Sequence, residues 1–168
     1  MSSGLLQIYQ YQLKLLLQAE KQTLKCFAKL SYAALTDELR KGLSPASFDQ
    51  QQHIDRLKIC LKQVRTKYNK ESDESATALF SHAEFARKSS RMPSFARDLQ
   101  LLHAGQKILT FFQGSYHELY LMATALELEQ AAMLLEQNWK DVQNANAYLV
   151  QISSNIIYPA ALADHAEI

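Results

Sequence analysis

The sequence predicts an all-α fold, an antiparallel four-helix bundle with an additional short helix. Three observations carry that prediction. Gly (4) and Pro (3) are scarce in 168 residues while Leu, Ala, Gln and Lys abound, which favours long helices over strands and turns. Apolar residues recur every three or four positions along most of the chain. The interruptions between those stretches are few and brief, so neighbouring helices must run antiparallel.

The first helix is expected from Leu5 to Leu39, on the seam Tyr9, Leu13, Leu16, Glu20, Thr23, Phe27, Leu30 and Ala34. It should stop at Lys41-Gly42-Leu43-Ser44-Pro45, with Gly42 as C-terminal punctuation. Ser47 then reads as an N-cap with Gln50 as its capping-box partner, opening a second helix that turns Phe48, Ile54, Leu57, Leu61, Val64 and Tyr68 inward. Lys67 to Ser75 is polar and forms a loop. A short helix from Ser75 to Arg87 follows, with Leu79, Phe80 and Phe85 as its apolar contacts. After the break at Lys88–Pro93, Ser94 caps a long helix to about Ala125, on Phe95, Leu99, Leu102, Leu109, Phe112, Tyr116, Leu119 and Ala123. Glu127 to Gln130 is a tight link, although it carries no Gly or Pro. The last helix uses Ala132, Leu135, Trp139, Val142, Leu149, Ile152 and Ile156, and Pro159 ends it. The chain reads as one domain over residues 1–168, its core about 5–157 and its tail 160–168 flexible.

Glu20 is the residue that raises a functional question. A carboxylate in a buried seam must be paired, hydrogen-bonded, protonated or metal-bound, since burying it bare costs about several kcal/mol. In bundles, inward carboxylates also build di-metal sites, usually with Glu-x-x-His on two helices so that both ligands point at one ion. The five histidines are His53, His82, His103, His117 and His165, and three residues before them stand Gln50, Leu79, Gln100, Gly114 and Leu162. No Glu-x-x-His exists. The nearest substitutes, His117-Glu118 and His82-x-Glu84, read as surface polar residues. His53, beside Ile54 and Leu57, is a core-edge histidine within reach of Glu20; if a metal were held at all, Glu20 and His53 would be its ligands. Gln50, Gln106, Asn138 and Asn146 lie near the inner seams and with Glu20 are expected to form a buried hydrogen-bonding layer.

Other chemistries find no support. Eighteen basic and seventeen acidic residues leave a charge of +1, without a basic stripe, so nucleic acid and anionic membranes are not expected partners. The N-terminus lacks the pattern of a secretory signal, and no apolar run approaches a membrane span. Cys26 and Cys60 sit among apolar helical positions and read as reduced core residues of a cytoplasmic protein. There is no nucleophile elbow, phosphate-cradling Gly loop or Cys/His metal spacing. The aromatics Tyr9, Tyr11, Phe27, Tyr32, Phe111, Phe112, Tyr116 and Tyr120 fall at helical spacing, as core or interface residues. Phe111, Phe112 and Tyr120 occupy more than one side of a helix, which suggests a second buried face and self-association.

Several segments, in order, resemble one family. Gln18-Ala19-Glu20-Lys21-Gln22, His53-Ile54-Asp55-Arg56-Leu57, Ala104-Gly105-Gln106-Lys107, Ser115-Tyr116 and Ala131-Ala132-Met133-Leu134-Leu135 are similar to the signatures of the ferritin-like bacterial stress proteins of the YciF/YciE type, a family without assigned function. The likeness covers roughly Leu5 to Ile156. It implies a ferritin-like bundle, often a homodimer, with a di-metal carboxylate site between the main helices. Carried over residue by residue, only Glu20 keeps its ligand. Where the family has carboxylates and histidines, this chain has Phe48-Asp49-Gln50-Gln51, Leu109-Thr110-Phe111-Phe112 and Lys140-Asp141-Val142. The expected protein is therefore a non-catalytic, dimeric, structural or stress-associated cytosolic bundle with no cofactor. The alternative is an iron or manganese oxidoreductase or storage protein using Glu20 and non-standard ligands.

Overall fold

The computed structural model describes residues 4–164; residues 1–3 and 165–168, with His165 and the end of the expected tail, lie outside the described residues. Every regular element among the described residues is helical. In chain order they are α1 (Gly4–Ala33), α2 (Asp37–Gly42), a 3₁₀ turn (Pro45–Phe48), α3 (Gln50–Gln63), α4 (Glu74–Lys88), α5 (Phe95–Ala125), α6 (Glu129–Ile152), a π turn (Ser153–Ile157) and α7 (Tyr158–Asp164). The four helices α1, α3, α5 and α6 form the bundle. Each runs antiparallel to the two it packs against: α1 lies between α3 and α5, and α6 closes the far side against the same pair. The core between them is continuous, from Tyr9, Leu13 and Phe27 through Leu57 and Leu101 to Phe112, Leu135 and Leu149.

The first helix ends earlier than its apolar pattern implies. Its break falls at residues 34–36, where the buried Asp98 carboxylate accepts the Leu35 and Thr36 backbone N–H groups at 2.7 and 2.9 Å. Arg97 answers the freed Ala33 carbonyl and Arg40 the Ala34 carbonyl, the latter at 3.0 Å. A long-range partner thus supplies the caps that local sequence lacks. Gly42 ends α2 as expected, but for its lack of a side chain rather than a left-handed backbone. A Cβ there would stand 2.9 Å from Ile152 Cδ1 and 3.0 Å from Leu149 Cδ2.

The capping box does not form. Ser47 Oγ bonds the Ser44 carbonyl at 2.7 Å, Asp49 in a left-handed conformation (φ 50°) precedes α3, and the Gln50 side chain turns inward. Asp73 caps α4 by accepting from Ser75 N and Ala76 N, and the helix starts at Glu74. That helix packs through the small residues Ala76, Ala83 and Ala86, while Phe85, expected to be a contact, is 70% exposed. Ser94 caps α5 as expected, accepting from Arg97 N at 3.1 Å. The Gly-free link before α6 turns because Glu127 itself adopts φ 57°. Pro159 does not end the last helix. A π turn inserts an extra residue ahead of it, so the face shifts and Ile157 rather than Ile156 is fully buried. The helical run continues without a gap through Pro159, with α7 following the π turn directly and the Tyr158 N–H bonding the Ser153 carbonyl.

Candidate functional site

Glu20 lies just past the middle of α1, 1% exposed, with donors from two other helices converging on it. Tyr116 of α5 donates its hydroxyl to Glu20 Oε1 at 2.5 Å, and His53 Nδ1 of α3 reaches the same oxygen at 3.0 Å. Gln50 Nε2 donates to Oε2 at 2.8 Å and also faces the Glu20 carbonyl at 3.3 Å. The fourth helix joins through Asn138, which donates to the His53 carbonyl at 3.3 Å and accepts from Arg56 Nη1 at 2.9 Å. Each of these side chains occupies a seam position of its helix, so the ordinary bundle register brings them together.

The network continues toward the surface. His53 Nε2 lies 3.4 Å from Asp141 Oδ2, and Arg56 Nη1 holds that same oxygen at 2.8 Å. His53 is wholly buried, whereas the Asp141 side chain is 20% exposed. Burial disfavours the imidazolium, but Asp141 and Glu20, one on each ring nitrogen, outweigh it and raise the His53 pKa. Burial likewise opposes the Asp141 anion, yet His53, Arg56 and Gln137 bring its carboxyl down to about 2. Tyr116 is held well above the usual tyrosine value, first by burial and then by the adjacent Glu20 carboxylate. The result is an ordered chain of charge, Glu20–His53–Asp141–Arg56, crossing from the core to the rim.

This donor set does not fit a metal centre. The groups around Glu20 are an imidazole N–H, a phenol O–H and an amide N–H₂, all of which direct hydrogens at the carboxylate, where a cation would need lone pairs. Glu20 and Asp141 face opposite nitrogens of one ring, at 3.0 and 3.4 Å, and so cannot share an ion with it. Among the described residues, no three of His, Cys, Asp or Glu are grouped to hold one.

The residues predicted from sequence divide accordingly. Glu20, Gln50, His53 and Asn138 are brought together. Gln106 and Asn146 are only half-buried and stand outside the layer, Asn146 facing Gln113 at 3.5 Å. Helical geometry explains both. Gln106 is ten residues from Tyr116 and Asn146 eight from Asn138, which rotates each off the seam by about 80° at about 100° per residue. His82 and His103 are exposed, and His117 stacks on Trp139 with centroids 4.4 Å apart. Three participants are not among the residues predicted from sequence: Tyr116 as a donor, Asp141 as the second carboxylate, and Arg56 as its cationic partner. For Asp141 a signal existed, since it lies three residues after Asn138 and therefore on nearly the same face. The thiols stay apart from the site: both cysteines are free, and burial raises the pKa of Cys60 to about 12 and that of Cys26 to about 11.

Comparison with known proteins agrees with this architecture. The sequence pattern of a domain of unknown function, DUF892, matches residues 4–162. The crystal structure of the E. coli stress protein YciF superposes with a TM-score of 0.85 at 21% identity, over 92% of this chain and 97% of that one. YcfI, a putative structural protein from Rhodopseudomonas palustris, superposes with a TM-score of 0.79 at 20% identity, over 88% of this chain and 93% of that one. None of the curated proteins matches the chain. The fold is thus an all-α ferritin-like bundle.

Proposed function

This chain belongs to the DUF892 family, and we propose that within it the chain is a non-catalytic bundle whose carboxylate–metal centre has given way to hydrogen bonds. One observation carries the reading: the two Glu20 oxygens are occupied by Gln50, His53 and Tyr116 at 2.5–3.0 Å. A site that satisfies its own carboxylate has neither an open coordination position nor a free base, so its role is to fix the register of four helices. The likeness to a stress protein and to a putative structural protein supports a structural or stress-associated role. Two unpaired thiols fit a reducing, cytoplasmic setting.

The protein acts as a homodimer in this reading. Leu5, Ile8, Gln12 and Leu15 continue on α1 the stripe that carries Gln22, Cys26 and Lys29. The upper part of the stripe is covered by α4, which has half the length of α1. The lower part borders a hollow of about 440 Å³ with Leu15, Leu16, Phe111, Leu119 and Met122 in its walls. Leu5 and Ile8 beside it, with Leu121 on α5, are 37%, 52% and 45% exposed. A second copy laid across this edge removes that apolar surface from water, as α4 does above. Light scattering on the eluting protein should return twice the chain mass, and Ile8→Glu should halve it; a wild-type monomer would defeat the dimer.

The competing reading, an iron or manganese oxidoreductase or storage protein using Glu20 and His53, makes a different thermal prediction. A bound ion at about 100 times its Kd would stabilise the fold by about 2.7 kcal/mol. Melting with Fe(II) or Mn(II) and with chelator should give one and the same midpoint. A saturable rise abolished by Glu20→Ala would favour the metal protein.

A further inference from the structure

Away from Glu20, at the end of the bundle where α1 breaks, four guanidinium groups gather around one hollow of about 560 Å³. They belong to Arg40 of α2, Arg87 of α4, Arg91 of the loop after it, and Arg97 of α5; Tyr32 and Ala33 of α1 and Pro93 of the loop complete the wall. Two of them serve the fold. Arg97 joins the Ala33 and Ser90 carbonyls, and Arg40 joins the Ala34 carbonyl and Asp37. The other two do not. Arg87 engages Glu84 through Nε and Nη2 at 2.9 and 2.7 Å and leaves Nη1 unengaged, and Arg91 makes no hydrogen bond or ion pair within the described residues.

The charges around the hollow do not balance. Arg40, Arg87, Arg91, Arg97 and the neighbouring Lys88 face Asp37, Glu84 and Asp98, an excess of two positive charges. The loop bearing Arg91 is tied down on both sides, by Arg97 Nη1 on the Ser90 carbonyl at 3.1 Å and by the Ser94 cap on α5. The cationic side chain is thus presented from a fixed backbone. Tyr32 adds a feature the fold does not need: the residue is 89% exposed beside the arginines. Exposed guanidinium forks match tetrahedral oxyanions, and an open aromatic face takes a planar ring. A volume of this size suits a small molecule.

We propose that this hollow binds a small ligand carrying a phosphate next to a planar ring, of the nucleoside monophosphate class. Calorimetric titration of the full chain with AMP, at constant ionic strength, tests it. Saturable binding is expected, with inorganic phosphate competing. Arg91→Ala should weaken it about tenfold, the usual effect of losing one charge-assisted hydrogen bond, and Tyr32→Ala should weaken AMP but not phosphate. Both side chains are exposed and hold nothing else in place, so circular dichroism should show unchanged folding. Binding that does not saturate, or that Arg91→Ala leaves intact, overturns the anion site. Indifference to Tyr32→Ala overturns the role of the ring. Tighter binding of a single-stranded oligonucleotide, phosphate for phosphate, would make this a nucleic-acid surface and overturn the small ligand.

Discussion

At the residue scale, a seam carboxylate is tolerated here because every helix facing it supplies something polar. Glu20→Ala leaves Gln50, His53 and Tyr116 buried without their acceptor, and urea unfolding should show a loss of about 3 kcal/mol. Glu20→Gln keeps an acceptor but places a second N–H₂ among donors, and should recover less than half of that loss. The pH dependence follows from the two shifted neighbours. The folded His53 pKa is raised, so its contribution is complete below the unfolded value of about 6.5 and disappears as pH climbs through the folded value. The folded Asp141 pKa is lowered to about 2, so its contribution is complete above about 3.9 and disappears as pH falls toward about 2. Stability should therefore peak between about pH 4 and 6.5. In His53→Gln the decline above pH 6.5 should flatten; an unchanged alkaline slope would remove His53 from the account.

At the scale of the elements, the helices were legible and their ends less so. Apolar spacing located every long helix, because period and burial act over many residues at once. Ser94 and Gly42 marked true boundaries. The break after Ala33 was not legible, since its cap is Asp98, sixty-three residues away from Leu35. Asp98→Ala should expose that dependence, orphaning two backbone N–H groups at a cost of about 2–4 kcal/mol and speeding hydrogen exchange in α2 first. Glu127 is the converse case: a turn without Gly, in which an ordinary residue holds a left-handed backbone. Glu127→Gly should raise stability by about 0.5–1 kcal/mol, as the strain is relieved and part of the gain is returned in unfolded-state entropy. The polar layer was legible in part for a similar reason. Glu20, Gln50, His53 and Asn138 keep the seam register, whereas Gln106 and Asn146 are rotated off it, and Tyr116 was hidden by its apolar ring.

At the scale of the whole molecule, the bundle keeps the frame of its family, and on the reading proposed above hydrogen bonds fill its centre in place of metal ions. The chain of charge from Glu20 to Arg56 links α1, α3 and α6, and Tyr116 adds α5, so all four helices are tied at one level, with neutral donors and one imidazole on the inner carboxylate. That substitution is the central claim, and metal content tests it most directly. Protein purified without chelator, incubated with Fe(II) or Mn(II) and freed of excess, should carry far less than one ion per chain, the same as Glu20→Ala treated alongside. One or two tightly held ions per chain, lost in Glu20→Ala, would contradict it.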